Sequence, residues 1–152
     1  MTSEKALEGY FMLKGGVFQD AGAVSKELKE ALSGIGVPSH LIRRAAIAAF
    51  EAEMNVIIHA VAGSLSYVVK DDEVRITVTD MGPGIEDIDL AMQEGYTTAP
   101  DWAREMGWGG GLGLPNIKRN SDSLEIDSKV GEGTTLNIVV KLKNGPAPEG
   151  SR

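Results

Sequence analysis

Glu51 and Asn55, four residues apart, are the first pair in the chain whose types and spacing suggest chemistry. They lie in a segment with helical periodicity, so both side chains would occupy one face, one turn apart. A carboxylate there could accept a proton from a hydroxyl or a water, and an amide oxygen could ligate Mg²⁺. His59 continues this face, and we interpret it as a packing residue. Because such pairs occur on many solvated helices, spacing alone does not identify a site.

A second cluster begins with Asp80, at the end of a predicted strand, and continues through the turn to Gly84. A carboxylate in this position can accept a hydrogen bond from an exocyclic amine such as that of adenine. The glycines of the turn would let the backbone approach a flat ligand closely. The competing interpretation is an Asx-type turn that only connects two elements.

The third cluster is the glycine-rich segment 107–113, which comes directly before a predicted helix. Such a segment presents free N–H groups and the positive end of the helix dipole to an anion, and phosphate is the natural guest. A Rossmann site is not favoured, because a loop precedes the glycines and an antiparallel strand pair is predicted to follow. A merely flexible surface loop is less favoured, because the segment leads straight into a helix.

Composition and charge exclude several classes of protein. The chain has 152 residues, 42% hydrophobic and 24% charged, as expected for one globular domain. Its net charge of −7 argues against nucleic-acid binding. The absence of cysteine excludes disulfides, thiol nucleophiles and cysteine-ligated zinc, and suits a cytoplasmic protein. No apolar run approaches the roughly 20 residues that cross a membrane, and no signal peptide is predicted.

The elements that would position the three clusters are predicted from apolar spacing and turn signals. Strands are predicted at residues 10–13, 65–70, 74–79, 124–128 and 135–142. Helices are predicted at residues 21–32, 39–61, 88–93 and 114–120. The apolar stripe of the second helix is read as Ile47, Phe50, Met54, Ile57, Ile58 and Val61.

We expect Gly63 to end the second helix, Asp71 to Glu73 to form a hairpin turn, and 95–111 to be a mobile loop. This order predicts an α+β two-layer sandwich with helices on one face of a mixed, mostly antiparallel sheet. Residues 1–143 are expected to form a single domain, followed by a flexible tail at 144–152.

The three clusters in this order resemble the GHKL (Bergerat) ATP-binding family, which includes gyrase-type ATPases, histidine kinase catalytic domains, heat-shock chaperones and anti-sigma-factor kinases. Glu51 and Asn55 match its N box. Its two glycine boxes are matched by Asp80, Gly82 and Gly84, and by Gly109, Gly111 and Gly113. The segment Gly133-Thr-Thr135 resembles the late Gly-Thr element of the family.

Within that family the chain is most similar to the small anti-sigma-factor or switch-protein serine/threonine kinases, particularly the stressosome-type switch kinase. The resemblance covers about residues 10–143 and is strongest at 91–98, 111–119 and 128–135. These proteins stand alone, without a helix pair that carries a phospho-accepting histidine. The resemblance leaves the oligomeric state open, although related switch kinases often dimerise.

The resemblance also implies a role for each matched residue. Asn55 would ligate the Mg²⁺ that bridges the ATP phosphates, Glu51 would be the general base, and Asp80 would bind the adenine amine. Thr134 or Thr135 would complete the base pocket. Further nucleotide contacts are implied for Gly82, Gly84, Ile85, Thr97, Thr98, Gly109, Gly110, Gly111, Leu112, Gly113 and Leu114.

Residues 96–111 would form the ATP lid, and Arg104 within it is the candidate for a γ-phosphate contact. Lys118 and Arg119 are alternatives for that contact, and solvated charges are the competing interpretation of all three. Trp108 departs from the family pattern, and it could pack on the lid or mark a partner surface.

Glu51 favours chemistry on a hydroxyl or a water, because histidine kinases commonly lack a base at this position. The implied function is a serine/threonine protein kinase that phosphorylates an anti-sigma antagonist or a STAS-like switch protein. The alternative is a binding module that uses ATP to sequester a sigma factor or to regulate a partner enzyme. Simple ATP hydrolysis is the third reading, and it is disfavoured because no transducer domain is visible.

Overall fold

One antiparallel sheet runs through the part of the chain that the computed structural model describes, namely residues 7–17, 19, 21–94 and 113–143. Its strands are β1 (Leu7–Lys14), β2 (Ala62–Lys70), β3 (Glu73–Asp80), β4 (Ser123–Lys129) and β5 (Gly133–Lys141). The helices in these residues are α1 (Ala23–Gly34), α2 (Ser39–His59), α3 (Ile88–Ala91) and α4 (Gly113–Arg119). The strand order is β1-β2-β3-β5-β4, and each neighbouring pair is antiparallel.

The helices cover one face of this sheet. Val74, Ile76 and Val78 of β3 are buried, and the residues between them are exposed or half-buried. Because successive side chains of a strand point to opposite faces, one face packs in the core and the other faces water. Helix α2 packs on β1, β2, β3 and β5, and α4 contacts β4. The predicted α+β sandwich is therefore confirmed.

The core face of α2 is built from alanines, which differs from the predicted stripe. Ala45, Ala48, Ala49, Ala52 and Val56 are fully buried in one cluster with the strands. Their small side chains let the helix lie close to the sheet. The predicted stripe was right for Met54 and Ile57, which are buried, but Ile47, Phe50 and Ile58 are only partly buried.

The end of α2 also differs from the prediction. The helix ends at His59, and Ala60 adopts an extended conformation that leads the chain directly into β2. Val61 therefore lies outside the helix and is 75% exposed. Gly63 does not end the helix but belongs to β2, where it pairs with Asp80.

Helix α1 packs beside α2 and is held by two carboxylates. Glu53 of α2, buried at 3% exposure, accepts a hydrogen bond from the Gly22 N–H at 3.2 Å, directly before α1. The Tyr67 hydroxyl of β2 donates to Glu27 Oε2 of α1 at 2.5 Å. Because α2 is buried against α1 as well as the sheet, its apolar residues do not form a single stripe.

The remaining predicted elements are confirmed with small shifts at their ends. The first strand is longer than predicted, and the short helix α3 stops at Ala91. In the β2–β3 hairpin the turn comprises only Asp71 and Asp72, because Glu73 already pairs with Lys70. Among the described residues, no helix is long and apolar enough to cross a membrane.

The β2–β3 turn yields a test of the fold. Asp71 and Asp72 have φ angles of 56° and 61°, the left-handed geometry that a type I′ turn requires. Changing the pair to Asn-Gly should raise the free energy of unfolding by roughly 1 kcal/mol, because Asn-Gly is the favoured sequence for this turn. The lost ion pair of Asp72 with Lys143, at 3.9 Å on the surface, contributes little.

Urea denaturation of the double variant measures this change. Asp127→Gly in the exposed face of β4 is the control, and it should lower stability because a glycine weakens an ordinary strand. A double variant that unfolds at the same or a lower urea concentration than the wild type would contradict the turn assignment.

Candidate functional site

Asp80 lies at the last position of β3, on the helix-facing side of the sheet. It continues the inward alternation of Val74, Ile76 and Val78, so its carboxylate points towards the helices rather than to the open face. Its Oδ1 accepts a hydrogen bond from the Thr134 N–H at 3.2 Å, at the start of β5. The carboxylate is thus fixed between two strand ends, and it has more lone pairs than the Thr134 and Gly82 N–H groups occupy.

Burial raises the pKa of Asp80, and the hydrogen bonds from the backbone N–H groups of Thr134 and Gly82 lower it again in part. The net direction is upward, because loss of water around a charged group outweighs these two donors. A half-buried carboxylate with spare lone pairs is suited to a neutral donor such as an exocyclic amine.

The backbone is packed tightly around Asp80. At Gly133, where φ is 142°, a Cβ would lie 2.0 Å from the Asp80 carbonyl oxygen. At Gly84, where φ is 77°, a Cβ would lie 2.4 Å from the Lys129 carbonyl oxygen. Both positions combine a backbone conformation that favours glycine with a close approach of another strand end. The turn after β3 and the β4–β5 connection therefore form one compact unit.

Side-chain hydrogen bonds join this turn to β4. The Ile85 N–H donates to Ser128 Oγ at 2.7 Å, and the hydroxyls of Ser128 and Thr134 are 2.8 Å apart. Thr134 is buried beside Asp80, whereas Thr135 lies on the opposite face of the sheet, next to Thr79. Of the two threonines considered for a base pocket, Thr134 is the one that the structure brings to Asp80.

Glu51 and Asn55 lie half-buried on α2, as the spacing predicted. Glu51 Oε2 accepts a hydrogen bond from Asn116 Nδ2 of α4 at 3.0 Å. A Cβ at Gly113, the first residue of α4, would lie 3.7 Å from Glu51 Oε1. The first predicted cluster and the end of the third are therefore adjacent, although they are more than 50 residues apart in the chain.

Helix α2 links these residues to Asp80. At the end of α2, Ala60 contacts the turn after Asp80. A Cβ added to Gly82 in this turn would lie 3.2 Å from the Ala60 Cα. Glu51 is therefore near α4, Ala60 is near the turn after Asp80, and Asn55 lies between them along the helix. A ligand with a flat base at one end and an anionic group at the other matches this order.

The remaining described candidates have different surroundings. Leu114 is buried in the core at 8% exposure, so its side chain is a packing group. Burial lowers the pKa of His59, which favours a neutral imidazole near neutral pH. Lys118 is exposed, and Arg119 donates to Asn116 Oδ1 at 2.5 Å and pairs with Glu94.

Several predicted site residues lie outside the residues that the structure describes, so their placement stays a prediction. They are Thr97, Thr98, Arg104, Gly109, Gly110, Gly111 and Leu112, together with Trp108 and the rest of the predicted lid, 96–111.

Sequence reasoning missed two residues of the site, Asn116 and Ser128. Asn116 follows Gly113 by three positions and so shares a helix face with it, which is only a weak signal in the sequence. Ser128 is a polar residue at an inward position of β4, after the apolar Leu124 and Ile126. A hydroxyl at such a position needs a hydrogen-bond partner, and that requirement could have marked it.

Comparison with known proteins supports this geometry. The profile of the histidine kinase-like ATPase domain matches residues 19–140. An anti-sigma F factor of Clostridium beijerinckii is 32% identical over 135 residues, which cover 79% of this chain and 90% of that protein. An anti-sigma F factor of Pasteuria penetrans is 34% identical over 100 residues, 61% of this chain and only 63% of that protein.

Two solved structures share the fold. The crystal structure of the RsbU and RsbW domains of a Mycobacterium tuberculosis protein has a TM-score of 0.60 at 21% identity, covering 90% of this chain and 32% of that one. The SiaB–SiaC complex of Pseudomonas aeruginosa has a TM-score of 0.58 at 16% identity, covering 91% and 92%. At these identities the likeness concerns the architecture alone.

The close approach at Gly84 can be tested against a matched glycine. Gly84 and Gly131 have similar φ angles of 77° and 83°, but a Cβ at Gly131 would meet nothing within 4 Å. Gly131→Ala should cost about 1 kcal/mol, because only the left-handed conformation is penalised. Gly84→Ala should cost about 2–4 kcal/mol, because its Cβ also collides with the β4–β5 connection. Equal losses in urea denaturation would refute the close approach.

The buried charge of Asp80 makes a pH-dependent prediction. Since its folded-state pKa is raised, the protonated carboxyl favours folding, and this contribution is lost as pH rises through the folded-state pKa. Asp80→Asn should therefore have a higher thermal midpoint than the wild type at pH 7. The difference should vanish below about pH 3.9, the ordinary pKa of an unfolded aspartate. A variant that is less stable than the wild type at pH 7 would contradict this assignment.

Proposed function

The chain belongs to the histidine kinase-like ATPase domain family, and on that basis we propose that it is a GHKL-type serine/threonine protein kinase. It transfers the γ-phosphate of ATP to a hydroxyl of a partner regulatory protein. The observation that carries this proposal is the position of the Glu51 carboxylate. It accepts a hydrogen bond from Asn116 of α4, and Asn55 lies one turn further along α2. This arrangement supplies a base next to the helix that follows the glycine-rich segment.

The order of the site residues along α2 suggests how ATP is bound. Adenine lies at Asp80, whose carboxylate accepts the exocyclic amine beside Thr134. The phosphates extend past Asn55 towards Gly113 and Glu51. Gly109 to Leu112 are proposed to bind the phosphates through backbone N–H groups, and Arg104 to contact the γ-phosphate. Thr97 and Thr98 are proposed to contact the nucleotide.

Asn55 is proposed to hold Mg²⁺. Among the described residues, no group of three or more His, Cys, Asp or Glu side chains could bind a metal on its own. Mg²⁺ bound together with nucleotide phosphates needs only one or two protein oxygens, because phosphates and waters supply the rest. The half-buried amide oxygen of Asn55 is a suitable hard ligand. When bound, the ion neutralises the charge of the phosphates.

The chain's own residues then act on the acceptor hydroxyl. Its oxygen attacks the γ-phosphorus in line, and the bond to the β–γ bridging oxygen breaks, so ADP leaves with that bonding pair. Glu51 accepts the hydroxyl proton as the new oxygen–phosphorus bond forms. Positioning and charge stabilisation supply most of the catalysis in such transfers.

The partner is proposed from the relatives. Because two of the similar proteins are named anti-sigma F factors, the acceptor is an anti-sigma antagonist or a STAS-like protein, and the regulated target is a sigma factor. We propose that residues 1–143 act as one domain in the cytoplasm, with 144–152 as a tail. The net charge of −7 agrees with a protein partner rather than a nucleic acid.

Two substitutions separate transfer from nucleotide binding. Glu51→Gln should lower phosphate transfer by about 100-fold or more, with an ATP affinity within about twofold of the wild type, because it removes only the base. Asp80→Asn should lower ATP affinity by about tenfold or more, because its one remaining oxygen binds the Thr134 N–H and its NH₂ then faces the adenine amine, donor against donor.

Transfer is measured with labelled Mg-ATP and purified antagonist or STAS-like proteins of the same organism, and affinity by calorimetry with a non-hydrolysable ATP analogue. A wild type that transfers no more phosphate than Glu51→Gln would refute the kinase. Partner binding that persists in Glu51→Gln but is lost in Asp80→Asn would then identify an ATP-dependent binding module.

A further inference from the structure

A chain of polar side chains leads from Glu51 to the surface through α4. Asn116 Nδ2 donates to Glu51 Oε2 at 3.0 Å, and Asn116 Oδ1 accepts from Arg119 at 2.5 Å. The Arg119 guanidinium also pairs with Glu94, beyond the end of α3. Glu51 and Asn116 are half-buried, whereas Arg119 and Glu94 are exposed at 51% and 60%.

The chemistry of the end groups fixes the orientation of the amide between them. A guanidinium only donates hydrogen bonds, and an ionised carboxylate only accepts them. Asn116 must therefore turn its oxygen to Arg119 and its nitrogen to Glu51. A residue with only donors or only acceptors could not satisfy both neighbours.

We propose that Asn116 is the positioning residue for Glu51, a role that rests on the proposed kinase function and refines it. By binding Oε2, the Asn116 amide holds the carboxylate in one rotamer and leaves Oε1, next to Gly113, without a hydrogen bond from any residue that the structure describes. Oε1 is then the atom that accepts the proton of the acceptor hydroxyl.

Arg119 acts on the base through Asn116. It fixes the amide orientation from the solvent side, and it ties Asn116 to Glu94 in the segment that follows α3. Its guanidinium is engaged by these two neighbours, which disfavours the alternative that Arg119 contacts the γ-phosphate. Helix α4, which begins at the end of the glycine-rich segment, thereby determines which oxygen of Glu51 accepts the proton.

The test uses the full chain with two substitutions of Asn116 and one control. Asn116→Leu should lower kcat for phosphate transfer from Mg-ATP to the STAS-like protein by 10- to 100-fold, with KM for ATP within twofold. Asn116→Asp places a second carboxylate beside Glu51, so the rising limb of its pH–rate profile should move to higher pH. The control is Asn120→Ala, because Asn120 donates to the Asn116 backbone oxygen at 2.9 Å, and it should keep wild-type kinetics.

Asn116→Leu with a wild-type kcat, or Asn116→Asp with an unshifted pH profile, would overturn the proposal. If Asn120→Ala lowers kcat as much as Asn116→Leu does, the proposal is also overturned, because general destabilisation of α4 would then explain both losses. Arg119→Gln should lower kcat less than Asn116→Leu does, since the direct contact to Glu51 remains.

A second measurement does not depend on kinase activity. The side-chain NH₂ resonances of Asn116 in ¹⁵N NMR spectra should shift on Glu51→Ala and on Arg119→Gln, and should stay in place on Asn120→Ala. If the wild type transfers no phosphate but these shifts occur, the kinase proposal fails while the contact stands, and the positioning role in transfer fails with the kinase. If the chemical shifts of the Asn116 side-chain NH₂ group do not change on Glu51→Ala, the contact between Asn116 and Glu51 is itself overturned.

Discussion

The close packing of α2 on the sheet through small side chains is the constraint on which the site depends. Ala45, Ala48, Ala49 and Ala52 are fully buried in the core that α2 shares with the strands. Because they occupy the core face, Glu51 and Asn55 lie at its border and are only half-buried. A larger residue at one of the alanines would lift the helix and move both polar groups away from α4 and Asp80.

Much of this arrangement could be predicted from the sequence, because alternating apolar residues and turn signals are local. The strands, the helices and the order of the three clusters follow from such patterns. The alanine face of α2 could not be read in this way, since alanine carries little hydrophobic signal and the helix is buried on more than one side. Gly63 was misassigned for a related reason, because a glycine that permits a close approach in β2 looks the same as one that ends a helix.

The finer details of the site depend on contacts between distant segments. The choice between Thr134 and Thr135 follows from the register of β5 against β3, where one step exchanges the two faces of the sheet. The contact of Asn116 with Glu51 requires that α4 packs against α2, which no local pattern reveals. At Asp80, binding and stability make opposite demands. Burial suits the carboxylate to a ligand, but it also raises the pKa of the group, so that the ionised form lowers the stability of the fold at neutral pH.

The strand order has a consequence for the way the chain folds. The β2–β3 and β4–β5 hairpins join neighbouring segments, whereas the β3–β5 pairing brings together residues such as Asp80 and Thr134 that are 54 positions apart. Closing so long a loop carries an entropic cost that must be met before the new contacts form. The two hairpins can therefore form early and independently, and the part of the site around Asp80 is assembled only when they join. Nucleotide would bind the product of that last step and stabilise it, without guiding the steps before it.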